Sequence, residues 1–286
     1  MNDIKSAQRL YSLDWIRFFA VMMLVPFHTG MIYAFYGWHI KSDTLSLPIS
    51  IFNEFITIWQ MPILFFVAGA ASWFALESKE ANTYINERIK RLLVPLTFGM
   101  LIIVPPQVYI ERIKNQQFQG SFIDFYPNFQ GIYPDGNLSW HHLWFLAYLF
   151  VFSMLLLPLF LRLKKEKGHL LIQKAHKLLE MPGGLFIPAL PIVLTEFLLR
   201  TRWPDGNQNL IDDWANILFY GTLFFYGYLF SSMDRFWEKA VQKRFAALFT
   251  AAALILLFLI KRPVRKEGYA KFICLSAPVK KILQRL

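Results

Sequence analysis

The sequence predicts an all-α, polytopic integral membrane bundle with about seven spans. Three observations predict it. The 286 residues are 56% hydrophobic and only 17% charged, where a soluble domain carries roughly 25% charge. The apolar residues fall into runs near the ~20 residues that a bilayer core requires. Lys and Arg alternate between the loops as a membrane topology demands. This composition excludes disordered, collagen-like and nucleic-acid-binding readings, although the net charge is +11. The single cysteine, Cys274, excludes an intramolecular disulfide and a cysteine-based metal site.

Seven apolar segments are predicted, at 16–37, 51–76, 92–110, 143–162, 185–200, 214–231 and 245–260. The first is too long for a signal-peptide core and lacks a small-residue cleavage site after it, so it reads as a retained helix. Counted from the N-terminus, the loops carry 3, 1, 4, 2, 6, 2 and 4 Lys/Arg residues. That alternation places the N-terminus in the cytoplasm of a multi-pass inner-membrane protein. The region 10–260 reads as one transmembrane domain. The tail 261–286 holds eight basic residues against one acid and reads as truncated or atypical.

Ionisable residues inside a membrane are costly and ask for a partner or a role. The first span, with its lead-in, reads YSLDWIRFFAVMMLVPFHTGMIY. Arg17 and His28 are 11 residues apart, about 20° past three full turns of an ideal helix, so they share one face. Asp14 stands three residues before Arg17, at ion-pair spacing. The face thus offers a carboxylate and a guanidinium near the cytoplasmic side and an imidazole deeper in. Histidine titrates near neutrality, which suits a general base. A snorkelling anchor at Arg17 and an interhelical hydrogen bond at His28 are the structural alternatives.

The second span carries Glu54 near its outer end, with His39 in the loop before it. A carboxylate there suits the orientation of an imidazole; a headgroup position is the alternative. Further on, Ala68, Gly69, Ala70, Ala71 and Ser72 are small residues suited to close helix packing. Before the third span, Arg88 and Arg91 at i, i+3 predict two guanidinium forks on one face, a geometry suited to phosphate. Positive-inside bias is the alternative. The fourth span opens with SWHHLWFL. His141 and His142 point to different faces, so no chelating pair is expected, and no metal motif occurs elsewhere. Glu196 in the fifth span has no evident role.

The R-x10-H of Arg17 and His28, the R-x-x-R of Arg88 and Arg91, and HLWFL at 142–146 resemble the membrane acyltransferase 3 family. LDWIR, PFHTGMIY, Trp38-His39, FNEFI, FFVAG and RLLVP extend the likeness over about residues 10–146. They are most similar to members implicated in succinylating periplasmic glucans. The resemblance implies transfer of an acyl group, acetyl or succinyl, from cytoplasmic acyl-CoA to a hydroxyl of a cell-envelope carbohydrate. It implies His28 as the catalytic base and Arg17, Arg88 and Arg91 around the donor phosphates. Glu54 joins His28 as a catalytic candidate, while Asp14, His39 and His142 are further candidates. Acyl-CoA is then a co-substrate, with no bound cofactor and no metal; the partners are the glycan acceptor and the bilayer, with no nucleic acid. Members of the family usually have about ten spans. A transporter or flippase of an anionic or lipid-linked glycan is the rival reading, and a seven-helix receptor a weaker one.

Overall fold

A computed structural model of the chain describes residues 11–131, 136–181, 184–206, 208–233 and 236–261. The regular elements among them are helices. The chain runs α1 (Tyr11–Met22), α2 (Leu24–Tyr33), α3 (Leu47–Ser78), α4 (Ala81–Arg88), α5 (Val94–Phe98) and α6 (Val104–Lys114). It continues through α7 (Phe122–Phe125), α8 (Trp144–Leu155), α9 (Leu157–Leu163), α10 (Glu166–Glu180) and α11 (Ala189–Leu199). Then come α12 (Trp214–Ser231), α13 (Phe236–Gln242) and α14 (Arg244–Lys261). The basic tail and Cys274 lie outside the described residues.

Each of the seven predicted segments contains helix. By length and composition, three stretches suffice to cross a membrane: Tyr11–Tyr33, Leu47–Ser78 and Ala81–Lys114. The pair His141–Leu155 and Leu157–Leu163, bent by 45°, makes a fourth if taken as one span. The expected seven thus becomes three or four by this measure. The reason is local. Pro188 precedes α11, which keeps only 11 residues, about 16 Å of helix. The 18 residues of α12 include Asn216, three tyrosines at 220, 226 and 228, and two glycines. The apolar side chains left exposed on α1, among them Trp15, Phe18, Phe19 and Met22, are what a helix solvated by lipid presents.

The chain forms two compact units. One contains Ser12–Met61 and, among the described residues, 237–261. In it, Pro26 lacks an N–H and its ring crowds the carbonyl four residues back; α1 accordingly stops at Met22. Small residues line one side of the broken helix, where Ala20, Gly30 and Ala34 are buried. The facing turns of α3 bury Ser50, Asn53, Ile56 and Gln60. The carbonyls of Met31, Ile32, Tyr33 and Ala34 at the end of α2 accept from the following loop. Lys41 Nζ donates to Met31 O at 2.6 Å and to Ala34 O. Ser42 N reaches Ile32 O and Ser46 N reaches Tyr33 O. The described side chains of α14 from Arg244 to Leu254 are all exposed.

The other unit contains Pro62–Phe236. Its core is aromatic: Phe65, Tyr148, Phe152, Phe160, Phe224 and Tyr228 are buried. Phe160 and Tyr228 stack in parallel with centroids 3.7 Å apart. Packing was expected of the small-residue run, and the structure bears it out at Gly69. A Cβ there would sit 1.8 Å from Phe224 O, and one on Gly227 1.9 Å from Phe66 O. The second half of α3 and α12 therefore meet backbone to backbone. Two π-helical turns, Ile89–Leu93 and Gly99–Ile103, each lead into a proline turn, at Pro95 and Pro105. Pro105 cannot bond the Leu101 carbonyl, which accepts from Tyr126 OH at 2.8 Å instead.

Candidate active site

His28 lies half-buried on α2. Its Nδ1–H donates to Leu24 O at 2.8 Å. A neutral imidazole carries one N–H, so this bond leaves the lone pair on Nε2. The ring meets Phe27 edge-on at 5.2 Å and lies 5.8 Å from Trp38, which in turn packs on His39 at 5.1 Å. The loop that caps α2 thereby brings Trp38 to His28, with His39 packed on Trp38. Burial lowers the pKa of Lys41 in that loop.

Asp14 is half-buried and Arg17 exposed on α1. The one-face relation of Arg17 and His28 holds for a straight helix, whereas the break at Met23 falls between them. Glu54 is half-buried on α3. At Nδ1 of His28 the orienting acceptor is a backbone carbonyl, that of Leu24. Next to Glu54, Asn53 Nδ2 donates to Phe27 O at 3.1 Å, and Gln60 Nε2 donates to Ala20 O at 2.8 Å. The sequence reading gave neither amide a role. Their signal was nonetheless visible, as two amides seven residues apart in an apolar run.

In the unit of Pro62–Phe236, Arg88 and Arg91 part company. Arg88 Nη2 donates to Ser72 Oγ at 3.0 Å, beside Tyr84 OH at 3.0 Å on the same oxygen. The Arg88 guanidinium lies 4.7 Å from the Tyr84 ring centroid. These contacts are to a hydroxyl and a ring face, so they hold the guanidinium without neutralising it. Arg91 is exposed and stands 4.0 Å from Glu87 Oε2, while Lys79 meets Glu87 Oε1 at 2.5 Å. The π turn Ile89–Leu93, with its extra residue per turn, lies between Arg88 and Arg91, so the i, i+3 geometry of an ideal α-helix does not hold across it.

His142 is exposed in the short 3-10 turn His141–Leu143. Glu196 does have a partner: Arg200 binds both its oxygens, at 3.0 and 2.6 Å. Arg200 also donates to Asn216 Oδ1 at 2.9 Å. Asn216 Nδ2 reaches Asp205 at 3.1 Å and Asp213 at 3.2 Å. Tyr148 OH donates to Asp213. Burial raises the Asp213 carboxyl pKa, against the lowering effect of the Tyr148 and Asn216 hydrogen bonds. This network ties α8, α11 and α12 together, with Asp213 Oδ1 left buried and without a hydrogen-bond partner among the described residues.

The sequence also compares with known proteins. A family model described as an acyltransferase domain matches residues 10–260. The glucans biosynthesis protein C of Escherichia coli (strain K12) and that of Shigella dysenteriae serotype 1 (strain Sd197) are each 28% identical to the chain over 170 residues. The match covers 58% of this chain and 42% of each relative, so the chain spans less than half of their length. No solved structure matches it. A family model that covers most of the chain, together with these membrane-length apolar helices, decides the assignment: the chain belongs to the acyltransferase 3 family of membrane proteins.

Proposed function

We propose that the protein is an O-acyltransferase that moves an acetyl or succinyl group from cytoplasmic acyl-CoA to a hydroxyl of a cell-envelope glycan. The observation that carries the reading is the anchored imidazole: His28 gives its Nδ1–H to Leu24 O, which leaves Nε2 as the basic nitrogen. In the proposed step Nε2 takes the proton of the acceptor hydroxyl as its oxygen attacks the thioester carbon. A C–O bond forms, the C–S bond breaks, and the proton passes to the departing thiolate. Glu54 supports the polarity of the base region. Donor phosphates are the ligands proposed for Arg17 in one unit and for Arg88 and Arg91 in the other, with Arg88 held on Ser72 and Tyr84. The protein sits in the inner membrane with its N-terminus in the cytoplasm.

The test is transfer of labelled acyl groups from acetyl-CoA and from succinyl-CoA to envelope glucans. Membranes with the intact chain and with His28→Ala would be compared at matched expression. A positioned base contributes 10²–10⁴-fold, so the variant should lose about that factor. Undiminished transfer by the variant would refute the role of His28. Translocation of a glycan without acylation would favour the transporter.

A further inference from the structure

We infer that Asn53 and Gln60 are positioning residues that set the register of the His28 helix against α3. The inference rests on the reading of His28 as the base. Both amides are buried, at 0% and 2% exposure. Each donates to a backbone carbonyl on the broken helix: Asn53 to Phe27, Gln60 to Ala20. On α3 the donors are seven residues apart, which returns to nearly the same face. Their acceptors are also seven residues apart, in reverse order. The two bonds therefore define one antiparallel register, and they bracket the break at Met23. Phe27, the residue before His28, takes one of them.

Magnitudes decide between glue and register. An interhelical side-chain hydrogen bond in a membrane averages about 0.6 kcal/mol. Two such bonds stabilise the pair by only about 1 kcal/mol. Against that, Asn53 Oδ1 is buried with no hydrogen-bond partner among the described residues, which costs a comparable amount. As glue the pair contributes little. As a register device it does what apolar packing cannot. The stripe of Ala20, Gly30 and Ala34 is smooth, and a slide of one helical turn along it, about 5.4 Å, would still bury small residues. Such a slide would remove both amide bonds and move His28 by the same distance. A buried polar side chain that selects register has precedent in helix pairs. Gly30 faces the same amide: a Cβ there would stand 2.5 Å from Asn53 Oδ1, so a side chain at 30 would require the amide to shift.

The test uses Asn53→Leu and Gln60→Leu in the full chain. Both changes make the span more apolar, so insertion is not weakened. Two readouts are taken per folded molecule. The first is kcat and the acyl-CoA KM, with succinyl-CoA and envelope glucan. The second is the spin-label distance between cysteines at Thr29 and Phe52, both exposed, with Cys274 replaced by Ser. Asn53→Leu should lower kcat about ten- to a hundredfold, because a misplacement near 1 Å costs about that much, and leave the acyl-CoA KM unchanged. Gln60→Leu should lower kcat less. In both, the narrow spin-label distance should shift or broaden. An unchanged distance, or an unchanged kcat beside a shifted distance, would overturn the inference. If His28→Ala proves active, the base reading fails by itself, and the spin-label distance still tests the register.

Discussion

The two polar regions of this protein are built in opposite ways. Around His28, side chains bond to backbone carbonyls, and the imidazole has one carbonyl at Nδ1 and aromatic rings beside it. Around Asp213, side chains bond to one another: Glu196 to Arg200, Arg200 to Asn216, Asn216 to Asp213, Asp213 to Tyr148. The second arrangement uses its ionisable groups on each other and holds three helices. The first holds an ionisable group still with its Nε2 lone pair not consumed by that anchor. The lesson is that charge density alone does not single out a candidate site, because the densely charged region uses its groups to hold helices together.

His28→Ala breaks the comparison most directly. Acyl transfer should drop by about 10²–10⁴-fold, while thermal unfolding in detergent hardly moves. A large fall in melting temperature with transfer retained would make His28 the structural group. Gly227→Ala tests the opposite region, since Asn216 rides on α12. Alanine is favoured over glycine in a helix by about 1 kcal/mol. Here the new methyl carbon would stand 1.9 Å from Phe66 O, so strain wins. We expect a net loss of about 1–3 kcal/mol, read as a lower melting temperature. No loss would mean that α3 and α12 do not meet as closely as described.

Arg200→Met sharpens the contrast at lower amplitude. It leaves the Glu196 carboxylate without its fork, and Glu196 is 40% exposed. Solvent reduces the cost to about 1 kcal/mol. Turnover per folded molecule should stay the same; a specific loss of turnover would move the Asp213 network into the machinery. The smallest effect is expected at Ser121, which caps α7. Hydrogen bonds from the Ser121 side chain and backbone lower the Asp124 carboxyl pKa. For a lowered carboxyl, the stabilisation is present above its ordinary value and lost as pH falls through the lowered one. Ser121→Ala should therefore speed amide exchange across 122–129 at neutral pH, and the difference from wild type should vanish well below the carboxylate range. A difference that persists in acid would rule out the carboxylate as its source.

Much of this was legible in the residues. The apolar runs mark where helices form, because a bilayer demands internally satisfied backbone. Pro26 announces a break near Met22, and R-x10-H with R-x-x-R announces the family. The partner of Glu196 was legible too, since Arg200 follows at i, i+4. The separation of Arg88 from Arg91 was not, because it arises from a π turn that no spacing rule at 3.6 residues per turn contains.

By itself, the sequence determined an all-helical membrane protein of the acyltransferase 3 family, with a histidine and several arginines as its candidate chemistry. Those properties follow from composition, period and local motif, which act over a few residues. Tertiary structure alone decided that Asn53 and Gln60 reach Phe27 and Ala20, and that Asp213 is buried against Tyr148. Each of these needs a partner brought in by chain folding. The i, i+4 carbonyl on His28 is local, but only the helix geometry and the rotamer make it the acceptor. The amide and carboxylate contacts join residues dozens of positions apart, and their cost or gain is settled only when water is excluded and the partner is in place.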